Sequence, residues 1–205
     1  MNTEIFTGKA MQYANARPGY PRQSIDYICS LVPINAVEPN SDMAEQLKPT
    51  LNPYPAAKTI TAPAESTTLP SQSVDVIVCA QALHWFDLAA FDAECRRIGK
   101  PGTIVIAIYN ISPGGISATH SRVSTDAFFE NPTTKEFQNP IYYTRDKWLA
   151  YMTSHSNNPR PTDDGYKEHI AKVNAIFDDE SIDGLLRRDL LTRVYFEKWM
   201  IGINS

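Results

Sequence analysis

Apolar and polar positions alternate between two regimes along this chain, and the change between them marks its elements. Ile34-Asn35-Ala36-Val37-Glu38-Pro39-Asn40 reads as a short apolar strand that ends in an acid, and Ser41-Asp42-Met43-Ala44-Glu45 reads as the start of a helix. That helix is expected to bury Met43 and Leu47 and to stop between Pro49 and Pro55. Lys58 to Ala62 is a candidate short edge strand. Val74 to Ala80 is apolar without alternation, the pattern of a parallel strand covered on both faces. Leu88 to Ile98 has helical periodicity, with Phe91 and Ile98 inward and Asp92, Glu94, Arg96 and Arg97 outward. Arg96 to Gly102 then turns into a third strand, Thr103 to Tyr109. Strands alternating with helices imply an α/β fold with right-handed crossovers.

Outside this core the signals are local. Residues 1–23 form a polar and aromatic arm whose Arg17-Pro18-Gly19-Tyr20-Pro21 stretch rules out a continuous helix. Ser24 is placed to cap a helix with Ile25, Ile28, Cys29, Leu31 and Val32 on one face. Gly114-Gly115 reads as a loop. Thr144 is placed to cap a helix from Arg145 to Ser154 that buries Trp148, Leu149 and Met152, and Asp163 to cap one carrying Tyr166, Ile170, Val173 and Phe177. Leu185 to Leu191 and Thr192 to Trp199 read as a closing antiparallel pair. The expected organisation is a single domain over 1–205, with an arm and helix (1–33), a core (34–110) and a C-terminal segment (111–205).

Composition narrows the function. At 205 residues, 42% hydrophobic and 20% charged, the chain is long enough for one substantial core. A net charge of -4, with lysines and arginines scattered, leaves no basic stripe for a phosphate backbone, so nucleic acid is not an expected partner. Cys29, Cys79 and Cys95 lack metal or redox spacing and fit a reducing cytoplasm. No run is long enough to span a membrane and no signal segment opens the chain, so a soluble, unprocessed protein is expected. His84, His120, His155 and His169 show no metal-ligand spacing, and neither a Gly-x-Ser-x-Gly elbow nor a Gly-x-x-x-x-Gly-Lys-Ser/Thr loop occurs.

The order of the acidic strand, the Val74 strand leading into Gln81-Ala82-Leu83-His84-Trp85-Phe86-Asp87, and the Thr103 strand resembles the class I S-adenosylmethionine-dependent methyltransferases. The resemblance is to the small-molecule branch with a His-Trp-Phe-Asp loop, and it covers nearly the whole chain. It implies a Rossmann-like sheet with helices on both faces and a C-terminal antiparallel strand pair. It also implies S-adenosylmethionine as cofactor and a small-molecule acceptor.

In that family Glu38 would accept the ribose hydroxyls, with Asn40 and Met43 edging the adenine and Ala64 and Glu65 beside its amine. Tyr13, Arg17 and Tyr20 match a Tyr-x-x-x-Arg-Pro-x-Tyr-Pro segment that folds over the cofactor, where a forked Arg17 suits a carboxylate. Gln81 and Ala82 would sit at the cofactor, and His84, Trp85, Tyr109 and Asn110 at the acceptor, with His84 a candidate general base. Each has a plainer reading: a capping acid for Glu38, ordinary loop for Ala64-Glu65, terminal packing for the arm, a structural histidine for His84.

The family's strand with its glycine-rich loop is missing, because Leu31-Val32-Pro33 runs straight into Ile34. That strand would lie between the Glu38 and Val74 strands. A roofing helix after Tyr109-Asn110 is also expected to be absent, since Ile111 passes into Ser112-Pro113-Gly114-Gly115. A non-catalytic methyltransferase-like scaffold is therefore the alternative function. The oligomeric state is not legible from the sequence.

Overall fold

The structure is a computed structural model that describes residues 16–23, 36–51, 59–112, 116–155 and 158–199. The Ser24 helix, Tyr13, Cys29 and Gly114-Gly115 lie outside the described residues. Among the described residues, six strands and five α-helices follow in chain order: β1 (Ala36–Val37), α1 (Ser41–Leu51), β2 (Thr59–Ile60), β3 (Val74–Ala80), α2 (Leu88–Ile98), β4 (Gly99–Ile111), α3 (Ile116–Phe128), β5 (Thr133–Tyr143), α4 (Arg145–Thr153), α5 (Tyr166–Glu180) and β6 (Leu186–Lys198). The strands form two sheets, a parallel β1–β2 pair and a four-stranded β3–β4–β6–β5 sheet.

The family resemblance places a further strand between β1 and β3, and among the described residues none stands there. β3 is thus an edge strand: Val78 is 41% exposed and Ala80 is also exposed. This corrects the expectation of a strand covered on both faces. The apolar run suits a central parallel position, but among the described residues only β4 pairs with it.

β4 carries the core. Val105 to Ile108 are buried on both faces, with Cys79, Leu83, Phe91 and Cys95 on one side and Val194 and half-buried Phe137 on the other. Between Val74↔Gly99 and Val76↔Ile104 β4 advances further than β3, making a bulge that Thr103 closes by donating Oγ1 to Val74 O (3.0 Å). Gly102 turns this bulge at φ +83°, and a Cβ there would lie 3.1 Å from the Lys198 side chain.

Several elements differ from the sequence reading. The C-terminal antiparallel pair is β5 with β6, not two halves of residues 185–199, and β6 is one continuous strand that also pairs with β4. Pro140 escapes notice in β5 because an edge strand can spare its ladder donor. A helix does follow β4: α3 begins at Ile116 and packs against β4 and the turn at Leu83–Trp85. α1 runs through Pro49 to Leu51, because a last-turn proline loses only one intrahelical bond. Met43 and Leu47 are half-buried, while Ala44 is fully so. Asp163 does not cap α5; Gly165, at φ 84°, holds that position, and the Asp163 carboxylate accepts from Arg160 N. Thr144 caps α4 as expected and Trp148 is buried beneath it.

Candidate functional site at the carboxyl edge

β1 runs parallel to β2 and β3 runs parallel to β4, and the carboxyl ends of parallel strands are where open α/β sheets bind ligands. At the end of β1, Glu38 N donates to Ile60 O (3.0 Å), which fixes the residue just past the strand. Its side chain is half-buried, and Oε1 accepts from Asn40 N at 2.9 Å. Burial raises the Glu38 pKa and the Asn40 N–H opposes the rise. Asn40 is buried and caps α1 by accepting from Met43 N (3.0 Å). Both residues therefore order the strand-to-helix turn.

Ala64 and Glu65 lie in a turn that reaches the start of α2. Glu65 Oε1 accepts from Asp87 N (3.1 Å), and Asp87 caps α2 through Ala89 N and Ala90 N. The same loop is tied down at Thr67, whose N and Oγ1 both donate to Glu94 Oε1 (2.8 and 2.6 Å). Glu94 is thus buried rather than outward-facing. Arg97 donates to both its oxygens at 2.7 Å, and that pair above all holds its pKa down to about 2.

Past β3, Gln81 takes a left-handed φ of 53°, uncommon for a residue with a side chain. Its N donates to Ile108 O (2.9 Å) and its Nε2 to Asn110 O (3.2 Å). Half-buried Ala82 then enters the turn, anchored by fully buried Leu83, that sets His84 and Trp85 out at the surface with ring centroids 4.9 Å apart.

Tyr109, expected at the acceptor, is a buried residue in the structure. It is 2% exposed in the core, its Oη is 3.3 Å from Ser124 Oγ of α3, and burial raises its pKa to about 12. Asn110 is likewise buried. It accepts from Thr192 Oγ1 (2.6 Å) and Asn139 Nδ2 (3.1 Å) and donates Nδ2 to Pro18 O and Gly19 O (3.1 and 3.2 Å). Asn139 adds a bond to Gly19 O at 3.0 Å.

Sequence reasoning missed Asn139 and Thr192. β4 and β5 thereby grip the arm backbone through Asn110 and Asn139, which Thr192 of β6 holds together. Arg17, two residues earlier, lies against the Tyr151 ring (5.7 Å to its centroid) with Nη2 3.5 Å from Ser154 O. Tyr20 packs on the Ile106–Val194 cluster.

The methyltransferase-domain sequence profile matches residues 14–107, the stretch that supplies the arm, Glu38, the Ala64-Glu65 turn and the His84-Trp85 turn. This stretch of the chain is similar to the methyltransferase domain family. A methyltransferase of Dictyostelium discoideum is 30% identical over 100 residues, 48% of this chain and 38% of that protein. An uncharacterised Mycobacterium tuberculosis methyltransferase is 26% identical over 121 residues, covering 48% of this chain and 49% of its own length. Since 121 positions exceed 48% of 205 residues, that relative carries residues in the aligned stretch that this chain lacks. The chain spans half or less of the length of these relatives. Among solved structures, a type II methyltransferase from Anaeromyxobacter dehalogenans shares the fold, with a TM-score of 0.53 and 22% identity over 88% of this chain and 95% of that one.

Proposed function

We propose that this chain binds S-adenosylmethionine at the carboxyl edge of its sheet and transfers the methyl group to a small-molecule acceptor. The observation that carries this reading is Glu38, a half-buried acid at the end of β1, inside the matched region and beside the start of α1. A carboxylate so placed accepts from a ribose diol. The Asn40 N–H orients it, and Met43 and the Ala64-Glu65 turn provide an edge for the adenine.

The residues present thus fit the adenosine half of the cofactor. The methionine end has no glycine cradle in the sequence, so its carboxylate falls to the arm, where Tyr13 and Arg17 stand in the matching segment. When bound, the cofactor supplies a methyl group on a sulfonium. The exposed His84-Trp85 turn meets the acceptor, Trp85 shielding it from water and His84 taking a proton from an acceptor hydroxyl or amine.

One observation favours a second reading, a methyltransferase-like scaffold without activity. The β3 edge is exposed where a glycine-loop strand would pair, and that loop is what lets backbone approach the methionine end. Incubation with methyl-labelled cofactor and a panel of small carboxylates, phenols and amines separates the two. Acceptor-dependent label transfer supports the enzyme. Cofactor binding without transfer to any acceptor supports the scaffold.

A further inference from the structure

Deepening the reading above, and resting on it, we propose that Asn110, Asn139 and Thr192 are positioning residues for the cofactor. They latch the arm backbone at Pro18 and Gly19 to the carboxyl end of β4, and cofactor affinity depends on that latch. All three side chains are buried, Thr192 completely. They come together from three neighbouring strands: Asn110 of β4 stands opposite Thr192 of β6, and Asn139 of β5 lies two residues beyond Phe137, the other partner of Thr192.

The hydrogen bonds of this network have one direction. Main-chain carbonyls only accept, so Asn110 must aim its Nδ2 at Pro18 O and Gly19 O (3.1 and 3.2 Å) and turn its Oδ1 inward. There the Thr192 hydroxyl donates to that oxygen at 2.6 Å and holds the amide in this orientation. Asn139 Nδ2 adds a second donor to Gly19 O (3.0 Å) and is shared with Asn110 Oδ1 (3.1 Å) and Thr192 Oγ1 (3.2 Å). Burying three polar side chains costs free energy that apolar neighbours in a sheet core would not. What the three accomplish is to fix a segment 91 and 120 residues away in sequence.

The place of the latch points to a ligand. Asn110 is the last residue but one of β4, and its carbonyl accepts from Nε2 of Gln81, the residue just past β3, at 3.2 Å. Arm, β4 and the turn leading to His84 and Trp85 therefore meet at the carboxyl ends of two parallel strands, where open α/β sheets bind ligands. From there the arm continues onto the sheet face opposite α2, with Tyr20 on the Ile106–Val194 cluster. A segment tied at that point closes one side of the ligand edge, and its release opens that side to water. Latching and cofactor binding favour the same arm position, so each strengthens the other.

Thr192→Val keeps the shape of the side chain and removes its hydroxyl, whereas Thr192→Ser keeps the hydroxyl. Calorimetric titration with S-adenosylhomocysteine, together with hydrogen exchange of residues 16–23, tests the proposal on the wild type and both variants. Thr192→Val should bind about tenfold more weakly, the scale of one net hydrogen bond. It should also exchange faster across residues 16–23 while residues 104–111 keep their protection, and Thr192→Ser should restore both properties. Asn139→Asp, which sets a carboxylate against Gly19 O, should act in the same way and replaces Thr192→Val if that variant does not fold. In the wild type, adding the ligand should slow exchange across residues 16–23.

A merely structural threonine would lower the melting temperature of Thr192→Val and leave the affinity of the folded protein unchanged, a result that overturns the proposal. Unchanged arm exchange in that variant overturns it as well, as does a Thr192→Ser variant as weak as Thr192→Val. So does a ligand that binds the wild type without slowing residues 16–23, a result that needs no variant. Failure of the wild type to bind S-adenosylhomocysteine is a distinct outcome: it defeats the methyl-transfer reading and removes the cofactor role of the latch with it, whatever the arm's exchange shows.

Discussion

The two sheets of this molecule are built to different standards. β5 and β6 share eleven residue pairs and β6 and β4 eight, over buried Ile106, Ile108 and Val194, whereas β1 and β2 share two pairs of half-exposed residues. Stability therefore resides in the four-stranded sheet, and the two-stranded pair is held by a helix cap and one acid. Ligand-binding elements are commonly drawn from the low-stability end of a fold. Here the contrast is sharpened because no described strand bridges β1 to β3.

The largest effect should come from Ile106→Ala, which empties a fully buried position between β3 and β6. Urea unfolding should show a loss of about 2–5 kcal/mol, and Val37→Ala in β1 a markedly smaller one. Equal losses at the two positions would break the comparison.

Glu94→Ala removes the buried acceptor of Thr67 and Arg97 and should cost about 1–3 kcal/mol while loosening the Ala64-Glu65 turn. In the wild type the Glu94 pKa falls to about 2 on folding, so its contribution is complete above the unfolded value of 4.5 and is lost as pH drops toward 2.

His155 acts at higher pH with the same sign. The folded chain keeps it neutral to about pH 4, while the unfolded imidazole takes up a proton near 6.5. Protons in that interval favour the unfolded state, so stability should fall between pH 6.5 and 4. His155→Asn should flatten that part of a melting-temperature profile, and an unchanged slope would show that His155 is not its source.

The smallest effect is the sharpest on the sheet gap. On an exposed edge Val78→Lys should change stability by no more than about 0.5 kcal/mol, while a strand covered on both sides would lose several.

Much of this architecture is legible in the sequence where the signal is short-ranged. Val37 followed by Glu38 and the capping Asn40, the apolar β3, the periodic α2 and the Thr144-capped α4 all declare themselves within one turn or one strand. What stays hidden is where a polar residue serves a distant partner. Thr192 interrupts an apolar run and looks like a break between strands, but it is buried because Asn110 accepts its hydroxyl. Asn139 completes the same network from within β5, and Pro140 sits beside it on an edge strand. Ser121, Ser124 and Thr125 line the inner face of α3, where Tyr109 and the helix's own carbonyls satisfy them, so its amphipathic pattern disappears. At the candidate site, Glu38 and the His84-Trp85 turn could be located from strand ends, while the burial of Tyr109 and Asn110 depends on partners far along the chain.

Hydrogen exchange read by mass spectrometry, with and without S-adenosylhomocysteine, tests the central contrast most directly. Residues 104–111 and 186–198 should exchange slowest in both states. Residues 36–51 and 59–67 should exchange fast in the free protein and slow clearly when the ligand is added, because it caps the weakly held sheet through Glu38. Uniform protection of both sheets, or ligand addition that leaves 36–51 unchanged, would contradict the account.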